Sequence, residues 1–126
     1  MFGRGRVRFA LMALTKARVR KLALALEGAT EVVHVDRPAF RTTRKIFATL
    51  PPDAEAVNLM FDAATQEFFA EQAPDAIRPH PSGWGRMGVT VCDLRKIDEQ
   101  TLLSALKAAH ALAAPKPKAK RAKGKR

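Results

Sequence analysis

The sequence predicts an α+β domain, an antiparallel sheet with helices packed on one of its faces. Three observations predict it. Residues 15–26 carry apolar side chains at helical spacing, residues 31–61 hold four short runs that alternate apolar and polar, and residues 98–113 carry a second apolar stripe at helical spacing. With 126 residues the chain is long enough for a single two-layer core.

In the first helix Val19, Leu22, Ala23 and Leu26 fall at i, i+3, i+4 and i+7, Thr15 is placed to cap the start, and Gly28 suits a left-handed residue beyond the end. The polar face carries Lys16, Arg20 and Lys21. Four strands follow as an antiparallel meander: residues 31–35, 39–43, 45–50 and 55–61, separated by Asp-Arg-Pro, Thr-Arg and Pro-Pro-Asp. Strict alternation puts Ile46, Ala48 and Leu50 on one face with Phe47 and Thr49 on the other, and sets Val57, Leu59 and Phe61 against Asn58 and Met60. Asp62 caps a second helix that Pro74 ends. The Pro/Gly-rich segment 74–88 reads as loop with at most one helical turn, and residues 89–94, VTVCDL, as the last strand. Asp98 caps a closing helix with Leu102, Ala105, Leu106, Ala109, Leu112 and Ala113 as its buried stripe, and Pro115 stops it.

The net charge of +11 is unevenly spread. Residues 1–21 hold seven Lys/Arg and no acid; residues 115–126 hold another seven, Lys116, Lys118, Lys120, Arg121, Lys123, Lys125 and Arg126, again with no acid. That leaves nine basic residues to face all twelve acids between 22 and 114. Such blocks repel themselves and seek polyanions. The predicted organisation is a basic, disordered N-terminal extension (1–14), a globular domain (15–114) and a disordered basic tail (115–126) whose Lys/Ala/Pro composition cannot bury enough apolar surface to order itself. Met12 would serve as an initiator as well as Met1. The longest apolar run, Phe9 to Leu14, is far too short to cross a bilayer. With a single cysteine, Cys92, a reducing, cytoplasmic setting is expected; association with the nucleoid is compatible with the basic ends, and a monomer is favoured.

No residue pattern points to catalysis, to a metal or to a cofactor. His34, His80 and His110 are dispersed, Cys92 sits on an apolar strand, and the glycines of GRGR and GWGRMG lack the spacing of a phosphate-cradling loop. The acids beside turns and helix starts are explained by capping and solvation. The protein is therefore expected not to be an enzyme. Cations gather instead at the turns: Arg37, Arg41, Arg44 and Lys45 flank the second strand, and Trp84 and Arg86 lie in the later loop. Arginines can pair with base edges or enter a narrow groove, and an exposed indole can stack on an unpaired base. Each also has a structural reading: Trp84 as a buried pin, Arg41 as a stem covering the sheet, Lys45 as an edge-strand charge.

VRKLALALEG followed in order by RPAFR, KIFATL, VNLMFD and GWGRMG resembles the MmcQ/YjbR family over roughly residues 15–114. The resemblance implies a frataxin-like (CyaY-like) two-layer α/β sandwich and a "double-wing" arrangement in which hairpins contact DNA. Two departures stand out: Arg44 replaces the glycine usual before the KIFA lysine, and Gly88-Val89 stands where Gly-Trp is usual. Arginine disfavours the positive φ of a two-residue turn, so a longer or type I-like loop is expected there. The leading expectation is a mainly electrostatic, weakly sequence-specific DNA-binding protein. A protein-interaction or regulatory module whose tail contacts RNA or other polyanions is the alternative, and an anionic-membrane binder working through the N-terminus is a third.

Overall fold

The computed structural model describes residues 14–115. Apart from Leu14 and Pro115, the two terminal extensions expected to be disordered, with the seven tail cations, lie outside the described residues. Ten elements run in the order α1 (Lys16–Leu24), β1 (Thr30–His34), β2 (Arg37–Arg41), β3 (Ile46–Thr49), β4 (Ala56–Met60), α2 (Ala63–Gln72), β5 (Ile77–Pro79), a 3-10 turn (Gly83–Met87), β6 (Val89–Asp93) and α3 (Glu99–Ala113). The six strands form one antiparallel sheet in the order β1-β2-β3-β4-β6-β5.

The helices start where the sequence caps them. The Thr15 hydroxyl accepts from the Arg18 amide at 3.0 Å, Asp62 Oδ1 from the Thr65 amide at 2.8 Å and Asp98 Oδ2 from the Thr101 amide at 3.1 Å. Helix α1 stops at Leu24, ahead of Gly28, which nonetheless takes the left-handed conformation at φ 71°. All three helices pack on the same side of the sheet. Their shared core contains Val19 and Ala23 from α1, Phe69 from α2, and Leu102, Ala105, Leu106 and Ala109 from α3, set against Phe40, Ala48, Val57, Leu59 and Cys92 from the sheet.

Three features depart from simple alternation. The β2–β3 register shifts between Phe40, opposite Ala48, and Arg41, opposite Ile46, so β3 carries an extra residue. A bulge of this kind breaks the two-residue period. Phe47 therefore joins Ala48 in the core, with its ring 5.3 Å from His110 of α3, while Ile46 turns to the opposite face beside Thr49. Secondly, segment 74–88 is not all loop: Ile77–Pro79 forms the edge strand β5, where a proline's missing donor does no harm. Thirdly, the first turn falls on Val35 and Asp36, so Arg37 and Pro38 open β2. The Pro38 carbonyl accepts from the Leu50 amide at 3.0 Å, so its donor-less nitrogen also faces the end of β3, where the ladder stops. Val35 sits at φ 62°, a left-handed conformation that a β-branched side chain resists.

Candidate functional site

The strand registers define what the sheet shows on the side away from the helices. Val32, Ala39, Thr49, Asn58, Val91 and Arg78 are successive cross-strand partners and form one row over that open face. An adjacent pair, Met60 and Val89, shares the same side. Together with the Val35–Arg37 turn, Lys45 and Ile46, the 3-10 turn and Leu112 of α3, these residues line an open groove of about 700 Å³.

The groove wall is mostly apolar and its floor is not. Thr49 and Asn58 are 5% and 6% exposed and lie opposite one another in the β3–β4 ladder. Among the described residues neither the Asn58 amide nor the Thr49 hydroxyl makes a hydrogen bond, and neither is sealed from solvent. No described residue answers their polar atoms across the groove. Met60, Met87, Val89 and Trp84 supply the apolar wall, and Lys45 and Arg37 stand at the rim.

Trp84 is 60% exposed, not a buried pin. It sits in the 3-10 turn that Ser82 caps by accepting from the Trp84 amide at 3.1 Å, and its ring lies 5.7 Å from that of His80. The turn is held from α2: Gln66 Nε2 donates toward the Gly85 and Val89 carbonyls and Thr90 Oγ1 at 3.0 to 3.2 Å. Gly88 closes it at φ 105°, where a Cβ would stand 1.8 Å from the Phe61 carbonyl oxygen. Only glycine allows that approach.

The candidate cations part company. Arg44 is a helix cap. Its Nε donates to the carbonyls of Ala113 at 3.2 Å and Ala114 at 3.0 Å, and its Nη2 to that of Leu112. Thr42, 3% exposed, donates its hydroxyl to the Ala113 carbonyl at 2.7 Å and accepts from the amides of Arg44 and Lys45. Loop 42–45 thus closes the C-terminus of α3, and no residue in it needs positive φ. Arg41 folds onto its own loop, donating to the Thr42 carbonyl at 2.9 Å, and Arg37 pairs with Asp36 at 3.0 Å. Lys45 and Arg86 are exposed, and neither side chain has an ion-pair or hydrogen-bond partner among the described residues. Arg78 shares that condition and ends the open-face row; no sequence pattern signals it, because β5 is too short to show alternation.

Part of the N-terminal charge is likewise spoken for. Arg18 makes a two-point pair with Glu99 at 2.6 and 2.9 Å, Arg20 one with Glu31 at 2.9 and 3.1 Å, and Lys16 donates to the Pro51 carbonyl at 2.7 Å. The hydrogen bond from Arg18 holds the Glu99 carboxyl below the ordinary range, as Arg95 does for Asp93, Thr101 for Asp98 and Thr65 for Asp62. These acids serve caps and ion pairs.

His110 donates from Nε2 to the Glu27 carbonyl at 2.7 Å, tying α3 to the turn after α1. His34, expected on an apolar strand, is exposed on the edge strand, and burial pushes the Cys92 thiol up to about 12. Among the described residues no three His, Cys, Asp or Glu side chains gather as a metal site, and no helix is long and apolar enough to cross a membrane. Val19 and Ala23 are wholly buried, so α1 keeps no apolar stripe for a bilayer surface.

Comparison with solved structures finds the crystal structure of Deinococcus radiodurans protein DR2400, a DUF419-domain protein. It is similar at a TM-score of 0.65 and 16% identity, over 78% of this chain and 77% of that one. No curated protein matches the sequence. The YjbR family model matches residues 24–112, which run from the end of α1 through nearly all of α3 and so include the whole sheet. The chain belongs to the YjbR family.

Proposed function

We propose that this protein is a small, non-enzymatic DNA-binding protein that holds its polyanion mainly by electrostatics, with the frataxin-like (CyaY-like) build that the family resemblance implies. The observation that carries this reading is the segregation of charge: seven cations and no acid follow residue 114, while residues 22–114 hold more acids than bases. Duplex DNA carries one charge per ~1.7 Å, and each neutralised phosphate releases counterions, so such a tail favours strong, sequence-blind binding. Lys45, Arg78 and Arg86, exposed on or beside the open face, would add to it. Arg44 contributes less than its place at a hairpin tip suggests, because its guanidinium is occupied by the α3 carbonyls. The double-wing contact then falls to Lys45 more than to Arg44.

The test is duplex binding by the full chain against a full-length variant with the seven tail cations changed to glutamine, at rising salt. A steep dependence is expected for the natural chain, shallower in the variant by up to ~6 in log–log slope at about 0.9 per phosphate. Equal slopes, or binding indifferent to salt, would refute the reading. The protein-interaction reading is favoured by one observation, the exposure of Val35, Met87 and Trp84 around an apolar groove. It predicts a partner retained at high salt.

A further inference from the structure

We propose that the groove on the open sheet face accepts an unpaired base of a single-stranded nucleic acid, with Trp84 stacking on its face and the Asn58 amide and Thr49 hydroxyl meeting its polar edge. This rests on the reading of the protein as a nucleic-acid binder and adds a substrate class to it. The argument starts from the groove floor. Two polar side chains, each more than nine-tenths buried and without a hydrogen-bond partner among the described residues, lie side by side in a cleft lined mainly by apolar side chains, with His34, Asp36, Arg37, Lys45 and Asp62 as its other polar members. Covering them with a purely apolar occupant, such as a hydrophobic peptide side chain or an acyl chain, would strip their water and return nothing. A carboxylate-rich ligand would meet cations only at the rim, where Arg37 already faces Asp36.

A nucleobase has the complementary layout: two apolar faces and a rim of donors and acceptors. An asparagine amide offers both a donor and an acceptor to such an edge, and a threonine hydroxyl does the same. Trp84 presents its ring to solvent at the wall, and base–indole stacking tolerates any base. Lys45 at the rim can meet the backbone phosphate. The volume of about 700 Å³ falls within the usual range for ligand sites. A duplex keeps its bases stacked and paired, so it presents neither a free face nor a free Watson–Crick edge to the groove.

Trp84 is the only tryptophan in the chain, so its fluorescence reports on the groove alone. The full chain is titrated with an end-labelled oligothymidylate, with a blunt duplex and with thymidine monophosphate, following label anisotropy for total binding and Trp84 emission for the groove. The single strand is expected to raise anisotropy and quench Trp84, and the duplex to raise anisotropy without quenching. Trp84→Ala should weaken single-strand binding about 5- to 100-fold, the effect of losing one stacked base, and leave duplex binding within about twofold. Asn58→Leu with Thr49→Val should do the same in direction while melting no lower than the natural chain, since neither side chain supplies a hydrogen bond to the described residues.

Salt-sensitive anisotropy with Trp84 unmoved by the single strand, or quenched equally by the duplex, overturns the groove assignment and leaves the electrostatic reading standing. Quenching by the monophosphate as strong as by the oligonucleotide overturns the single-strand assignment in favour of a free nucleotide. No anisotropy change with either polymer removes the nucleic-acid reading itself, and this inference with it.

Discussion

Removing the Thr42–Arg44 cap should loosen α3 from its C-terminus, by an amount the contacts allow to be worked out. In Thr42→Val the side chain keeps its shape and burial but the Ala113 carbonyl, on a residue 1% exposed, loses its 2.7 Å donor. The carbonyl keeps its 3.2 Å bond from Arg44 Nε, and the Arg44 and Lys45 amides belong to exposed residues that can turn to water, so the loss is that of one hydrogen bond, ~1 kcal/mol. Arg44→Gln removes a cation from a helix C-terminus, worth ~0.3–1 kcal/mol by the dipole alone, together with solvent-facing hydrogen bonds, for a total of ~1 kcal/mol. At ~4–8 °C per kcal/mol for a domain of this size, far-UV circular dichroism should show melting lowered by ~4–8 °C in each variant. Because both side chains meet the Ala113 carbonyl, the double variant should deviate from additivity by ~0.5 kcal/mol or more. Amide exchange should quicken selectively in the last turn of α3. Melting of Arg44→Gln at the natural temperature, with unchanged exchange at residues 110–113, would refute the cap. The same result would return Arg44 to the set of residues available for phosphate.

Two further perturbations follow. Val35→Asn puts a residue tolerant of left-handed backbone at φ 62° and should raise stability by ~1 kcal/mol, read as a higher denaturation midpoint; an unchanged or lower midpoint would show that Val35 is not strained. Asp62, Asp93, Asp98 and Glu99 all titrate lower in the folded chain than in the unfolded one. Their contribution is complete above the unfolded values of ~4 and is lost as pH falls through the folded ones, so unfolding midpoints should be flat from neutrality to about pH 5 and drop below about pH 4. A drop that begins near pH 6 would implicate histidine instead.

Much of the architecture was legible because it rests on local period and local caps. Thr15, Asp62 and Asp98 announce their helices within three residues, and the meander is written in alternation. What stayed hidden is set by partners distant in sequence. The carbonyls that claim Arg44 lie about 70 residues away, so a cap looked like a bare cationic tip. The bulge opposite Phe40 and Arg41 reverses the facing of Phe47 and Ile46 without any local sign such as glycine. Strand β5 is three residues long and ends in proline, too short for alternation to register, and Arg78 went unnoticed with it. The polarity of Thr49 and Asn58 is plain in the sequence; that no described residue answers it is a property of the packed sheet.

The junction of loop 42–45 with the end of α3 also fixes where the basic tail takes root. Leu112 and Lys45 both border the groove, and the chain leaves its last helical turn for Pro115 and the lysines beyond from that spot. On the proposed reading, a strand that meets those lysines would reach the cleft as an intramolecular event, at the raised effective concentration that tethering provides. Weak contacts at Trp84, Asn58 and Thr49 would then decide which polymers linger, and the tail only how many arrive.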